Sequence, residues 1–501
     1  MTEQSRQARG DSFWSIGIGA FATLLYLATA PAVVNGDGLG YLKLLPKNFA
    51  AGHLLYMPLL RAVTHLHGGN GLSAGRLLNA LLGGTGVVIY FGIVRQFTTM
   101  RAARFAALGL SLSYGYWVQG ADVEAYALSM VMLLALVRLL LHYRNQPNLT
   151  SALTVGLLLG MAILTHLSHV MAVTLVMVAI LRWALNSRAG IVHSLLALAL
   201  GGVVAISAYA YAALVVRKHD LTGALRWVFT AQHGFVSPGG WYRLSDAACG
   251  LAKSLIYSPY FYESDGQKLI GQFLLGLLPL SGLALLLLMR SLPPRLDRMV
   301  LAAWILPYSL TGIFYFGSDS ERWLFILPAL WLIGATLLIE LERAEPIMVT
   351  VLVYLFFFNL QTGILPAHRD TSVRDRATRA AQDLRPTDLL VFPGHSWDEY
   401  VSFYATTAVT PFPLVYYAAR DGADECFARL AREASEAEQK GGRVLALRFF
   451  DDEDRDPRGI EELHALGWDK RTVEAKLASM FRIDRAHAAV TLLEPRDIIP
   501  K

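Results

Sequence analysis

The chain has 501 residues, of which 54% are hydrophobic and 17% are charged, and its formal net charge is +5. A soluble globular protein carries about 25% charged residues, so this composition, with a mean hydropathy of +0.42, excludes an ordinary soluble enzyme. By count, about 39 of the charged residues precede position 367 and about 44 follow. The sequence therefore predicts a membrane-embedded domain over 1–366 and a soluble domain over 367–501.

The net charge also differs between the two parts, at about +9 before the boundary and about −4 after it. We expect no nucleic-acid partner, because the soluble part lacks the basic face that phosphate binding needs. Cys249 and Cys426 are the only cysteines. Two cysteines make neither a disulfide framework nor a cysteine metal site, and the sequence leaves open whether they pair.

Eleven segments are apolar enough to predict membrane spans, each of which needs about 20 mostly apolar residues. The third, fifth and sixth are short. The segments lie near 13–34, 76–96, 104–119, 123–143, 151–166, 168–185, 191–216, 269–289, 299–316, 323–341 and 346–365.

Arginine and lysine favour the cytoplasmic ends of spans. With the N-terminus in the cytoplasm, each cytoplasmic end carries arginine, whereas the opposite turns at 120–122 and 167 carry none. An odd number of spans then makes the C-terminal domain extracytoplasmic. The first span could instead be a cleaved signal peptide, since Ala28-Thr29-Ala30 resembles a cleavage site, but its long apolar run favours a retained anchor. Abundant Ala, Leu and Arg with few Lys suggest a bacterial inner membrane.

Two predicted outer loops, 35–75 and 217–268, contain amphipathic stretches. In the first, apolar residues from Phe49 to Val63 recur at helical spacing, which predicts a helix lying in the membrane interface. The second is rich in aromatic residues and glycine. It could cover a cavity or form an aromatic belt at the membrane surface, and the sequence does not decide between these.

The soluble domain reads as α/β, with strands and helices alternating as in a partly parallel sheet. The acidic run at 451–454 fits a solvated turn better than a calcium loop. The predicted elements are a strand Asp388–Phe392, a helix from Ser396 to Tyr404, a strand Pro413–Tyr417, an amphipathic helix 423–440 and a strand Arg443–Phe450.

Ionisable residues at the ends of spans are candidates for function, because hydrocarbon penalises them. Asp37 follows the first span among three glycines and could act as a general base or simply satisfy its own turn. Asp122 and Glu124 open the fourth span. Residues two apart on a helix point to different sides, so we expect Asp122 to be the N-cap and Glu124 to point inward.

Two further clusters lie at predicted outer turns. His166 and His169 could share a helical face and bind phosphate or, with a carboxylate, a metal ion, although turn histidines more often serve structure. Arg322 could bind an anionic headgroup or pair with Asp319 or Glu321. All these clusters fall on one predicted membrane face, which favours one external site for an amphiphilic substrate with an anionic head.

At these residues the chain resembles the GT-C membrane glycosyltransferases, and within them the bacterial relatives of protein O-mannosyltransferases. The similar segments are Trp117–Leu128, Leu159–His166, Gly52–Leu59 and Arg322–Pro328. The resemblance implies a mainly α, polytopic transmembrane helical bundle with a C-terminal soluble α/β domain. It also implies an inverting hexosyl or pentosyl transferase whose donor is a polyprenyl-phosphate sugar and whose acceptor is a glycan, lipid or protein.

The same resemblance suggests roles for single residues. Asp37 matches the catalytic acid of the first outer loop, and its carboxylate would take the acceptor's proton. The residues matched to substrate or donor binding are Glu124, Asp122, Tyr126, His166, His169, His53 and Arg322. In many members a double proline follows the matching histidine, and it is absent after His53. The sequence leaves open whether a divalent cation, Mg²⁺ or Mn²⁺, binds between Asp37 and Glu124.

Two other functions fit a protein with many spans. A transporter or flippase of lipid-linked saccharides would also bind an amphiphile, but transporters commonly show internal repeats and charges near the midplane. Neither is found in this sequence. A non-catalytic protein of envelope-polysaccharide assembly is the third candidate.

The predicted topology has a direct test. Alkaline phosphatase fused after Lys501 is expected to be active, because that enzyme works only outside the cytoplasm, whereas a fusion after Gln146, in a predicted cytoplasmic loop, is expected to be inactive. Activity measured on intact cells checks both. The reverse pattern would contradict the assignment of the candidate clusters to the outer face.

Overall fold

The computed structural model describes residues 3–34, 36–45, 52–184, 188–230, 242–257, 297–314, 317–338, 344–382, 384–392, 400–401, 403–404, 410–447, 467–468, 470–484 and 490–495. Helices dominate the part that precedes the soluble domain. They are α1 Glu3–Ala28, α2 Gly36–Leu44, α3 Tyr56–Leu66, α4 Gly71–Val94, α5 Met100–Leu112, α6 Tyr114–Ala121, α7 Tyr126–Asn145, α8 Leu149–Thr165, α9 Ala172–Ala184, α10 Arg188–Ala210, α11 Leu221–Thr230, α12 Tyr242–Leu255, α13 Arg298–Phe314, α14 Leu327–Leu338, α15 Ala344–Asn359 and α16 Leu365–Arg369.

Ten of the eleven predicted spans coincide with helices, and the eighth, 269–289, lies outside the described residues. Within the described ranges, six helices are long and apolar enough to cross a bilayer, and three further apolar helices are shorter. The protein is therefore a multi-pass membrane protein with a helical core. Its third predicted span is broken into α5 and α6, because Ser113 between them has an extended backbone.

Polar caps set several helix starts more precisely than hydropathy does. The side chain of Asn70 accepts a hydrogen bond from the backbone N–H of Ser73, and Asn148 does the same for Ser151. Such caps satisfy backbone donors that the first helical turn leaves without partners. As a result α4 begins at Gly71, five residues before the predicted span.

The first helix is packed into the bundle. A Cβ atom added to Gly84 of α4 would lie 2.6 Å from the carbonyl oxygen of Gly19, so the two backbones are in close contact. Near the end of α1, the Tyr26 hydroxyl donates to the Ser111 carbonyl at 2.9 Å, and Trp117 Nε1 donates to the Thr29 hydroxyl at 2.8 Å. These contacts favour the retained anchor over a cleaved peptide, since small residues and interhelical hydrogen bonds hold membrane helices together.

The outer-loop predictions are met in part. Helix α3 buries Tyr56, Met57 and Leu60 and exposes most of Leu66, so an amphipathic helix does form there, although Phe49 lies outside the described residues. The second loop contains α11 and α12. Much of its aromatic run falls at 231–241 and 258–296, also outside the described residues.

The soluble domain contains a five-stranded sheet in the order β2-β1-β3-β5-β4. Strand β1 pairs in parallel with β2 and β3, whereas β5 is antiparallel to β3 and β4, so the sheet is partly parallel as predicted. Its elements are α17 Ser372–Gln382, β1 Leu389–Phe392, β2 Thr410–Pro413, α18 Leu414–Asp421, α19 Ala423–Gln439, β3 Val444–Leu447, α20 Lys470–Met480, β4 Phe481–Asp484 and β5 Val490–Pro495.

One predicted strand is wrong. Pro413 to Tyr417 was expected to be extended, but the strand ends at Pro413 and helix α18 begins at Leu414. The apolar run spans both elements, and a short apolar run does not distinguish a strand from a buried helix. Ser396 and the acidic run 451–454 lie outside the described residues.

A buried ion pair ties β1 to β3. The Asp388 carboxylate has no exposed surface and lies 2.7 Å from Arg443 Nη2. It also accepts hydrogen bonds from the backbone N–H groups of Arg385 and Arg443. Burial alone would raise the pKa of Asp388, but the Arg443 guanidinium and these bonds lower it below its ordinary value. The carboxylate therefore stays ionised and stabilises the sheet at neutral pH.

The chain divides into two compact units. One contains residues 1–31 and 44–369, and the other contains 32–43 and 370–501. The short segment 32–43, which carries α2, thus groups with the soluble domain. Cys249 lies in the first unit and Cys426 in the second, and both side chains are buried.

Replacing Gly84 with leucine is expected to destabilise the bundle by about 1–3 kcal/mol, because the added side chain must displace the backbone of α1. The matched control is Gly202→Leu in α10, where an added Cβ meets nothing within 4 Å. Thermal unfolding of the purified protein in detergent measures both. Equal melting temperatures for the two variants would contradict close packing of α1 on α4.

Candidate active site

Four parts of the first unit meet at one end of the bundle. They are the loop between α6 and α7, the turn after α8, the 3₁₀ helix Ser320–Ile326, and residues 53–55 before α3. The Leu55 backbone N–H donates to the Leu164 carbonyl at 3.0 Å, which fixes the approach to α3 against the end of α8. Candidate residues far apart in sequence are thus brought together.

The two candidate carboxylates of the α6–α7 loop are both buried. Asp122 has 0% and Glu124 has 1% of its surface exposed. The prediction that Asp122 caps α7 is wrong: the helix begins at Tyr126, and the residue before it, Ala125, makes no side-chain cap. Asp122 instead follows the end of α6 in an extended conformation, with its carboxylate 3.8 Å from Arg76 Nε.

Asn79 holds this loop in place. Its side-chain N–H groups donate to the carbonyl oxygens of Asp122 and Glu124, each at 2.6 Å, and its amide oxygen accepts from the Tyr56 hydroxyl at 3.1 Å. Loop backbone inside a membrane bundle needs such partners, because no water is available there to satisfy it. Sequence reasoning did not single out Asn79, although a polar residue within a predicted span was a signal for it.

His53 and His166 are neighbours that carry their protons on different ring nitrogens. Nδ1 of His53 lies 2.9 Å from the Thr165 carbonyl oxygen, which only accepts, so this nitrogen carries the proton. Nδ1 of His166 accepts from the backbone N–H of Ser168, so its proton is on Nε2. The ring centres are 4.9 Å apart. In the neutral state, the Nε2 atoms of the pair are therefore one acceptor and one donor.

His169 is engaged by the fold. Nε2 lies 3.0 Å from the Ser129 carbonyl oxygen and Nδ1 lies 2.7 Å from the Tyr308 hydroxyl, so both ring nitrogens have partners on neighbouring helices. The ring also packs on Phe325 at 4.5 Å between centres. These contacts describe a residue that anchors the turn after α8, which was the structural alternative for this histidine.

Arg322 is directed at the same cluster. Its Nη1 donates to the Tyr126 hydroxyl at 3.1 Å, and Tyr126 packs on His166 with ring centres 4.9 Å apart. The predicted pairing with Asp319 is present at 3.8 Å, which is longer than a hydrogen bond. The side chain keeps 19% of its surface exposed. A guanidinium in this position can present donors to an anionic group.

The 3₁₀ helix that carries Arg322 is fixed at its N-terminal end. Glu321 accepts from Gln119 Nε2 at 3.0 Å, and its backbone N–H donates to the Asp319 carboxylate. Gln119 is 5% exposed and lies on α6. These bonds hold the helix against the end of α6 and so fix the backbone from which Arg322 extends.

Asp37 lies in the second unit, in the first turn of α2, and its side chain is exposed. The cluster of the first unit therefore contains the predicted residues His53, Asp122, Glu124, Tyr126, His166, His169 and Arg322, but not Asp37.

A metal ion does not fit the donor set of this cluster well. Among the described residues, no group of three or more His, Cys, Asp or Glu side chains is arranged to hold one. His169 is engaged by the fold through both ring nitrogens, and Asp122 faces the guanidinium of Arg76. We derive no chemical step through a metal from these residues.

The fold of the whole chain is similar to that of solved membrane glycosyltransferases. ArnT from Cupriavidus metallidurans in the apo state gives a TM-score of 0.60 at 15% identity, over 97% of this chain and 98% of that chain. Its complex with undecaprenyl phosphate gives 0.57 at 14% identity, over 96% and 98%. AglB, the oligosaccharyltransferase of Archaeoglobus fulgidus, in complex with an inhibitory peptide and a dolichol-phosphate, gives 0.53 at 11% identity, over 97% and 74%.

No protein-family model matches the sequence, and no curated protein sequence matches it significantly. The structural likeness shows a polytopic helical membrane protein. The chain has the same fold as the solved ArnT and AglB structures.

Replacing Asn79 with leucine is expected to cost about 2–6 kcal/mol, because two buried carbonyl groups lose their donor at about 1–3 kcal/mol each. The control is Asn70→Ala, which removes an exposed helix cap on the same helix and is expected to cost about 1 kcal/mol. Thermal unfolding in detergent compares the two. An Asn79 variant no less stable than the control would show that the loop is held by other contacts.

Proposed function

We propose that the protein is a membrane glycosyltransferase that moves a sugar from a polyprenyl-phosphate donor to an acceptor hydroxyl at the extracytoplasmic face. The observation that carries the proposal is the convergence of Arg322, Tyr126, His53 and His166 at one end of a bundle with the GT-C fold. The solved ArnT of this fold binds undecaprenyl phosphate, and AglB binds a dolichol-phosphate. These complexes support a lipid-linked donor here as well.

In the proposed reaction, the acceptor oxygen attacks the anomeric carbon as the bond from that carbon to the phosphate oxygen breaks. Attack opposite the leaving group inverts the configuration. The phosphate gains negative charge, and Arg322 compensates it with donors that are already oriented by Tyr126 and Asp319. Donors fixed in place before the reaction stabilise developing charge with little reorganisation. The Nε2–H group of His166, whose ring packs on Tyr126, is proposed as a second donor.

We assign the role of general base to Asp37, whose carboxylate takes the proton of the acceptor hydroxyl. The carboxylate is exposed and lies in the first helix after the N-terminal apolar helix, so a substrate can reach it. Its neighbours Gly36, Gly38 and Gly40 leave room for a bulky acceptor. His169 and Asp122 are assigned to positioning, since both face groups of the fold.

The Asp37→Asn variant is expected to lose about 10²–10⁴-fold of the transfer rate, as expected on removal of a general base. Arg322→Gln is expected to lose about 10²–10³-fold through weaker stabilisation of the leaving phosphate. The measurement is sugar transfer in membranes, with lipid-linked sugars and envelope glycans analysed by composition. Donor sugar should accumulate on polyprenyl phosphate while its glycan product disappears.

The matched controls are Arg101→Gln and Glu345→Gln, which neutralise the two partners of an exposed ion pair. Both are expected to keep full transfer. Wild-type transfer by correctly inserted Asp37→Asn and Arg322→Gln proteins would contradict the proposal. It would favour a transporter, which needs no base.

A further inference from the structure

The segment that carries Asp37 belongs to the same compact unit as the soluble domain. Residues 32–43 directly follow the first membrane helix in sequence, yet they group with residues 370–501 and not with the helical bundle. This grouping is not expected from chain order, because more than three hundred residues separate the two parts. It indicates a structural role for the soluble domain at the N-terminal end of the chain.

Helix α2 has one buried side and one exposed side. Val34 and Leu39 have no exposed surface, and Tyr41 and Leu42 are 5% and 8% exposed. Leu39 and Leu42 are three residues apart and thus share a helical face. Asp37 is exposed. The packing therefore buries the apolar side of the segment and leaves its carboxylate accessible.

A side chain of the soluble domain fixes the approach to this helix. The hydroxyl of Tyr400 donates to the carbonyl oxygen of Val34 at 3.2 Å, two residues before α2 begins. The Val34 side chain is fully buried, so the chain is fixed there by packing and by this hydrogen bond. Tyr400 thus acts directly on the backbone that leads into Asp37.

Helix α2 has little intrinsic stability. It spans nine residues, from Gly36 to Leu44, whereas isolated helices shorter than about 12–15 residues are marginal in water. Three of the nine are glycines, and each glycine inside a helix costs about 1 kcal/mol relative to alanine. The helix therefore depends on tertiary packing, and the compact unit to which residues 32–43 belong is otherwise made of residues 370–501.

We infer that the soluble domain is the positioning element for Asp37, with Tyr400 as a positioning residue that acts through the backbone of Val34. The inference rests on the proposed function for the role of Asp37 in the reaction. The structural part of the inference, that the soluble domain orders residues 32–43, does not depend on the proposed function. The domain then serves the reaction itself, and a docking role for partner proteins is not needed to explain its presence.

Hydrogen–deuterium exchange of the full-length protein tests the structural half. In Tyr400→Phe, amides of 36–43 are expected to exchange about two- to tenfold faster, which corresponds to the loss of one hydrogen bond. Leu39→Ala, which removes a buried side chain from α2, is expected to give a larger increase in the same segment. The control is Tyr417→Phe, another tyrosine of the same unit, whose ring lies under Arg429. It should leave exchange in 36–43 unchanged.

Sugar transfer by the same variants tests the catalytic half. A misplaced base is expected to lower kcat in Tyr400→Phe and Leu39→Ala while the KM for the lipid-linked donor stays constant. Tyr417→Phe should match the wild type. A general loss of stability would instead raise exchange throughout the sheet of the soluble domain, which the same exchange data reveal.

The outcomes separate the two claims. Unchanged exchange in 36–43 for both Tyr400→Phe and Leu39→Ala overturns the positioning role, whatever the activity. Faster exchange with unchanged kcat overturns the link to the reaction and keeps the packing role. If Asp37→Asn transfers sugar normally, Asp37 is not the general base and the proposed function is contradicted. The exchange result still decides whether the soluble domain orders residues 32–43.

Discussion

The candidate site depends on the need to satisfy backbone groups buried inside a membrane protein. The loop between α6 and α7 carries Asp122 and Glu124 within the bundle, where it cannot be hydrated. The Asn79 side chain donates hydrogen bonds to the backbone carbonyl groups of both residues, and the Tyr56 hydroxyl donates to the Asn79 amide oxygen. With this loop fixed, Tyr126 starts α7 at a defined place and presents its hydroxyl to Arg322. A single amide thus connects the packing of the bundle to the geometry of the cluster.

The cluster combines charges of both signs with rings of fixed hydrogen-bonding character. His53 and His166 differ in which nitrogen is protonated because their partners differ, a backbone carbonyl in one case and a backbone N–H in the other. Phe325 packs on His166, His169 and Tyr126 and limits the space among them. The cluster therefore offers both a ring N–H donor and a ring nitrogen acceptor within one group of packed side chains.

The sequence predicted the features that follow from composition and periodicity. The helices of ten predicted spans, the amphipathic α19 and the strands around Leu389 and Val444 lie where hydropathy and turn residues indicate. The turns that carry His166 and Arg322 meet through Tyr126, whereas the shared membrane face of all the candidate clusters, Asp37 included, stays a prediction. These inferences work because burial in lipid and in a sheet leaves strong, local patterns.

Other features depend on contacts between distant residues, which leave no local pattern. Asn79 and Gln119 acquire their roles only when α4 and α6 pack against loops far away in sequence. The start of α7 at Tyr126 reflects the buried carboxylate of Asp122 facing Arg76, whereas sequence reasoning made Asp122 a cap. The grouping of residues 32–43 with the soluble domain is equally non-local.

That grouping has a consequence for the order of assembly during synthesis. Ribosomes add about 5–20 residues per second, so the partner of the segment emerges tens of seconds after the segment itself. Meanwhile the membrane helices can insert, but the short glycine-rich helix has nothing to fold against. Residues 32–43 therefore gain their final conformation only after the last part of the chain has been made.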